Sequence, residues 1–172
     1  MTNNQVMQTF ESRIKSALRT LPRIVGNEVV NFALDNFKKQ GFLGDVFEKW
    51  PARKNPTKWG TVPKRNGRAL LVNSGRLRRG GRIVRADWNA VVYGNDVPYA
   101  RAHNDGLRIG EIQRVQSFSR KVRGKSQSVS AFTRHINQNI PRRRFIGNSQ
   151  YLTARLKRVA EVHILKNLRE WH

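Results

Sequence analysis

Apolar residues recur at helical spacing at both ends of this chain, whereas its middle carries short β-branched runs punctuated by turn formers. That pattern commits the ends to helices and the centre to antiparallel strands. A 3.6-residue period buries one helix face, and a short β-branched run suits a pleated ladder. Near the start, Val6, Phe10, Ile14 and Leu18 fall four apart, with Ala17 and Leu21 alongside. Pro22 is expected to end or kink that helix, because it lacks an amide proton and its ring crowds the preceding turn. From Arg23 a second stripe of Ile24, Val25, Val29, Phe32, Ala33 and Phe37 runs to Gln40 and Gly41, which read as a C-cap. Two helices, or one kinked helix, therefore fill residues 5–40, with their stripe in the core. At the other end Gly147, Asn148 and Ser149 offer an N-cap to a helix over 148–171. Leu152, Leu156, Val159, Ala160 and His163 share a face there, which Ile164, Leu165 and Leu168 extend toward Trp171. That face packs on the core or on a partner.

Between the helical ends lie three stretches. Residues 42–67 are rich in Pro, Gly, Lys and Trp. Trp50 and Trp59 could stack bases among basic residues, but rings so large supply most of the packing an irregular segment can find, so we assign them to anchoring the loop. Residues 68–106 form a sheet region, with strands at 82–85 and 90–94 and a turn at 86–89. Pro98 ends the second strand. Residues 99–104 turn back as a helical segment in which Ala100 and Ala102 are small enough to admit another chain, and Gly106 closes the turn. Residues 107–140 carry seven Lys or Arg against the single acid Glu111, and their two arms flank 123–126. An extended β-hairpin that orders against a neighbouring subunit is expected, with disorder in the free monomer as the alternative. The whole reads as one α+β domain over residues 1–172. Its N-terminal helices and C-terminal helix pack on a small antiparallel β-sheet, with a long basic hairpin arm.

Charge narrows the partners. The chain has 34 Lys and Arg against 11 Asp and Glu, a net charge of +23. An excess of that size draws the chain to polyanions or acidic protein surfaces. From Trp50 to Ala86 there are eleven basic residues and no acid. Cysteine is absent, which leaves neither a disulfide framework nor a thiolate metal site. The start lacks the features of a secretory signal and no apolar run approaches the ~18 residues of a membrane span, so a soluble protein with no membrane partner is expected.

Three stretches each join a turn former to basic and apolar residues: Asn73-Ser74-Gly75-Arg76-Leu77-Arg78, then Tyr99-Ala100-Arg101-Ala102-His103-Asn104-Asp105-Gly106, then Ile140-Pro141-Arg142-Arg143-Arg144-Phe145-Ile146-Gly147. In that order they resemble the phage virion-morphogenesis or tail-completion proteins. The family pattern is a small-Gly-x-Leu-Arg step, a Tyr-Ala-x-x-His/Glu-x-Gly step, and a late Pro-x-Arg-x-Phe-Leu/Ile-Gly step. The likeness spans roughly Phe32 to the C-terminus. It departs at Arg144, where the family usually has Pro, and at Arg79-Gly80-Gly81-Arg82-Ile83, where the family has Arg-Ser-Ile.

The resemblance implies a non-enzymatic structural protein of the virion, assembled in the host cytoplasm, that forms or completes a ring joining tail to head. Implied partners are further copies of the chain and acidic portal, tail-terminator or tail-tube surfaces, with DNA passing through the lumen. The implied assembly surface comprises Gly75, Arg76, Leu77, Arg78, Tyr99, His103, Gly106, Arg142, Arg143, Arg144 and Phe145. Arg79, Arg82, Arg120, Lys121, Arg123 and Lys125 are candidates to meet DNA or an acidic partner.

Catalytic chemistry finds little footing. His103, His135, His163 and His172 lack the spacing of a metal box, and no cofactor motif is present. Ser74 lies outside any Gly-x-Ser-x-Gly elbow, and Gly75, Gly80 and Gly81 make no phosphate loop. The alternative to a virion component is a protein that grips nucleic-acid backbones without reading sequence, which the charge alone would favour.

Overall fold

The computed structural model describes residues 3–52 and 69–169. Its longest element, α1 (Asn3–Lys39), is a single helix that includes Pro22. Of the two expected arrangements, two helices or one helix running through Pro22, the chain adopts the second. Pro22 forfeits one backbone bond, but the apolar face continues on either side of it and is covered from about Ile14 to Asp35 by the C-terminal helix, α4 (Gln150–Arg169). Packing of that face outweighs the local cost.

The two helices run antiparallel. Thr20 and the Ala17 carbonyl meet His163, whose Nε2 lies 2.9 Å and 3.2 Å from the two oxygens. Farther along α1, Glu28 and Asp35 both pair with Arg155. Half-buried Leu152, Leu156, Val159, Ala160, His163 and Ile164 form the seam of α4, while Leu165, which the sequence placed on this face, is 50 % exposed. Ser149 caps α4 as expected: its Oγ accepts from the Leu152 amide at 3.0 Å and donates to the Leu43 carbonyl at 2.5 Å. Trp171 lies outside the described residues.

At the end of α1 the left-handed residue is Gln40 (φ 55°) and not Gly41. The Gln40 carboxamide donates to the Phe37 carbonyl at 2.6 Å and accepts from the Leu70 amide, so the side chain holds its own strained backbone in place. Gly41 instead opens β1 (Gly41–Leu43), which pairs with β2 (Phe47–Lys49). A Cβ at Gly41 would collide with the Phe47 ring and sit 2.7 Å from the Glu48 carbonyl oxygen. Close cross-strand approach is what requires glycine there.

After β2 the chain reaches Trp50, which is buried against Phe37 with ring centroids 5.5 Å apart and edge to face. Its indole N–H donates to the Arg144 carbonyl at 2.7 Å. Anchoring is therefore the role of Trp50, while Trp59 and most of the basic run that follows lie outside the described residues.

A short helix, α2 (Arg76–Arg79), leads into the hairpin of β3 (Gly81–Ala86) and β4 (Val91–Asn95), with a register shift between Ile83 and Arg85. Asp87 makes the turn: its Oδ1 accepts from the amides of Asn89 and Ala90, each at 2.9 Å. Ile83 packs on α1 at Gly26, where a Cβ would lie 3.0 Å from the Ile83 side chain. α3 (Ala100–Asp105) follows and ends at Gly106. Ala100 is buried in the core of its own chain beside Phe37, Trp50, Leu77, Val97 and Phe145, so it presents nothing to a neighbour.

Among the described residues the strands form four separate two-stranded antiparallel ladders rather than one sheet. Two of them occupy residues 107–140. β5 (Leu107–Val115) pairs with β8 (Phe132–Ile140), and β6 (Phe118–Val122) pairs with β7 (Lys125–Val129) across Arg123 and Gly124, both at positive φ.

Candidate functional site

The three motif segments, far apart in sequence, meet in space. Gly75 precedes α2 with φ 75°, and a Cβ there would fall 2.8 Å from the Arg79 guanidinium, whose Nη2 donates to the Ser74 carbonyl at 2.9 Å. Leu77 turns inward from α2 into the core, where it joins Phe145. The Asn95 carboxamide holds the Leu77 carbonyl at 2.9 Å.

The second and third motifs are stitched backbone to backbone. The Arg143 amide donates to the His103 carbonyl at 2.8 Å. Asn104 Oδ1 accepts from the amides of Phe145 at 3.0 Å and Ile146 at 3.1 Å. Gly106 (φ 79°) lies so close to the strand end that a Cβ would be 3.2 Å from the Arg142 nitrogen. From α1, fully buried Asn36 donates to the Phe145 carbonyl at 3.2 Å and accepts from the Leu43 amide at 3.0 Å. Neither Asn36 nor Asn104 stands out among the sequence candidates. The available signal was an asparagine beside buried positions of an apolar stripe, which must find hydrogen-bond partners indoors.

Where these segments meet they line a cleft of about 290 Å³. Asn73 to Leu77 form one wall together with Leu70, Leu71 and Val72, and Tyr99, His103 and Arg143 form the other. Leu71 sits at φ 59°, a left-handed conformation that costs a branched residue energy. The Tyr99 and His103 rings meet edge to face at 5.8 Å and 84°. His103 Nδ1 is buried with no hydrogen-bond partner among the described residues. Burial, and secondarily the charge of Arg143, holds the His103 imidazole below its ordinary pKa of 6.5.

The assembly residues read from the sequence thus divide by position. Leu77 and Phe145 are core. Arg143 is 7 % exposed and donates to the Pro51 carbonyl at 3.0 Å and the Ala52 carbonyl at 3.4 Å, which ties down the chain beyond Trp50. These three face inward. Arg144 is half-buried with its guanidinium 4.9 Å above the Phe42 ring. Arg76, Tyr99 and Arg142 are exposed, and Arg78 is half-buried.

Of the basic contact candidates, Arg82 pairs with Asp96 at 2.9 Å. Arg120, Lys121, Arg123 and Lys125 cluster at the far end of the 107–140 hairpin, remote in sequence from the cleft residues. Among the described residues no group of His, Cys, Asp and Glu could hold a metal ion, and no helix is long and apolar enough to cross a membrane.

A family model for phage virion morphogenesis proteins matches residues 3–164. The chain belongs to the phage virion morphogenesis family. Membership reaches back to the start of α1, well before the segment that carries the motif resemblance, so the long helix is part of the family fold. It gives the chain a role in phage virion assembly. No curated protein and no solved structure matches it significantly.

Proposed function

We propose that this family member is a structural protein of the phage neck or tail junction, and that it forms or completes a ring joining tail to head without catalysing a reaction. The observation that supports self-assembly is the uncovered face of the 107–140 hairpin. Pairing partners share a face of a ladder, so Leu107, Ile109, Val115, Phe132, Ile136 and Ile140 lie on one side of the β5–β8 ladder together with Glu111, Gln113, Arg134 and Gln138, while Ile112, 68 % exposed, lies on the other with Arg108, Arg114, Thr133, His135, Asn137 and Asn139. Phe132 is 43 % exposed and Leu107 38 % exposed. A lone two-stranded hairpin is marginal in water and needs something against its apolar face. A neighbouring subunit supplies that cover, and a head-to-tail seat of this kind repeated around an axis closes a ring. Acidic portal or tail surfaces and DNA in the lumen are the fitting partners for the +23 charge.

Light scattering of the full chain at physiological salt, with and without a short DNA duplex, tests this. A ring-sized mass that collapses to monomer in Ile109→Asp/Ile136→Asp supports the proposal. A monomer that binds DNA tightly and releases it over several decades of affinity as salt rises would instead mark a general nucleic-acid binder.

A further inference from the structure

The cleft between the motif segments has a chemistry of its own. Its size sits at the lower edge of the roughly 300–1,000 Å³ typical of small-molecule sites, enough for one or two side chains rather than an organic cofactor. One part of the lining is aliphatic, from Leu70, Leu71 and Val72, and the polar part is Asn73, Ser74, Arg76, Tyr99, His103 and Arg143, with no carboxylate among the described lining residues. Arg76 is exposed at the rim, and His103 Nδ1 is buried with a hydrogen bond unmade. A buried polar atom left in that state costs free energy that an incoming group can recover.

We infer that this cleft docks an extended acidic segment of a partner protein, seating one glutamate side chain with its methylenes against Leu71 and Val72 and its carboxylate toward Arg76 and His103. The inference rests on the acidic-partner part of the proposed function and names its site. Charge complementarity selects the occupant: a cleft without acids, on a chain of +23, favours a carboxylate. The aliphatic wall selects a peptide over a nucleic acid, since the phosphodiester is flanked by oxygen-rich sugars and has no run of methylenes like the glutamate stem to cover it. Tyr99 and His103 also meet edge to face and offer no parallel platform for a base. The neutral state favoured for His103 lets its ring line the seat without placing a second charge beside the carboxylate. Left-handed Leu71 sets the wall in a conformation held against its preference, as binding clefts often do.

The histidines supply a local reporter and a built-in control. Full-length protein with ¹⁵N-labelled histidine rings is titrated with a capped Glu-Glu-Leu-Glu peptide, its Gln counterpart, and an oligothymidylate of equal charge. The expected result is a saturable shift of the His103 ring signals by the acidic peptide alone, with His135 on the hairpin unmoved. The affinity should fall at least about tenfold in Arg76→Glu and be largely kept in Arg76→Lys, because one charge-assisted contact is reversed or retained. If peptide binds but moves His135 and leaves His103 still, the cleft is not the site although the acidic-partner reading survives. If no acidic peptide binds at all, both fall. If the oligothymidylate moves His103 as strongly as the peptide, the cleft takes phosphate and the inference is overturned.

Discussion

The side chain of Asn36, in the middle of the last turns of α1, donates to the carbonyl of Phe145 at 3.2 Å and is itself wholly shielded from water. Its oxygen accepts from Leu43 at 3.0 Å, so one carboxamide joins the long helix, the first hairpin and the late motif. Asn36→Ala leaves a buried carbonyl and a buried amide without partners and opens a small void. The expected loss is about 2–4 kcal/mol of unfolding free energy, read from urea denaturation. A loss below about 1 kcal/mol would show that the Phe145 segment is held chiefly by Asn104 and apolar packing.

Arg155 answers two acids across the α1–α4 seam. It pairs with Glu28 and with Asp35, the latter at 3.1 Å, and the three side chains are only 29 %, 15 % and 30 % exposed. Arg155→Ala strands Glu28 in a half-buried seam and leaves Asp35 only its looser contact with Lys38 at 3.7 Å, and should cost on the order of 2–3 kcal/mol. Arg155→Lys should recover only part of it, because an ammonium cannot fork between two carboxylates. Thermal melts of the two variants beside the parent chain test this.

His103 gives the stability a pH signature. Burial and then the Arg143 charge depress its folded pKa below the ordinary 6.5, so the unfolded chain binds a proton more readily than the folded one. The stabilising contribution is present above about pH 6.5 and is lost as pH falls through that value toward the folded pKa. His103→Gln should flatten the slope of stability against pH in this window. A slope unchanged by the substitution would assign it to other groups.

Neighbouring arginines of the late motif should behave oppositely. Arg142 is exposed, and Arg142→Ala should change stability by no more than about 0.5 kcal/mol. Arg143, bonded to the carbonyls of Pro51 and Ala52, should cost about 2–3 kcal/mol when truncated, since two hydrogen bonds from a buried charged group are lost together with its packing. Chemical denaturation of each single variant separates the two. Any assembly defect of a variant lacking Arg143 therefore has to be read against its folded fraction.

Much of the frame was legible in the amino-acid order. The apolar stripes of both terminal helices, the Ser149 cap, the strand pair around Asp87 and the anchoring of Trp50 follow from periodicity, capping chemistry and side-chain size, all of which act within a few residues. Pro22 shows the boundary of such reasoning. Its local penalty was visible, but the α4 face that offsets it comes from about 130 residues away, and no local rule weighs the two. Gln40 makes a related point: the cap at Gln40 and Gly41 was legible, but which of the two is left-handed was decided by the carboxamide bonds of Gln40 to Phe37 and Leu70.

The candidate site divides along the same line. Residue order alone determined that three segments shared the composition of an interface, because turn formers, arginines and aromatics are local facts. Only the tertiary structure decided which of those side chains face outward. Leu77, Phe145 and Arg143 sit in identical-looking neighbourhoods to Arg76, Arg144 and Arg142, but packing turns the first three into the protein and leaves the others at or near its surface. Burial is set by what arrives from elsewhere in the chain, here Phe37 and Asn36 from α1 and the Pro51–Ala52 carbonyls, and that convergence also brings Leu71, Arg76 and His103 into one cleft.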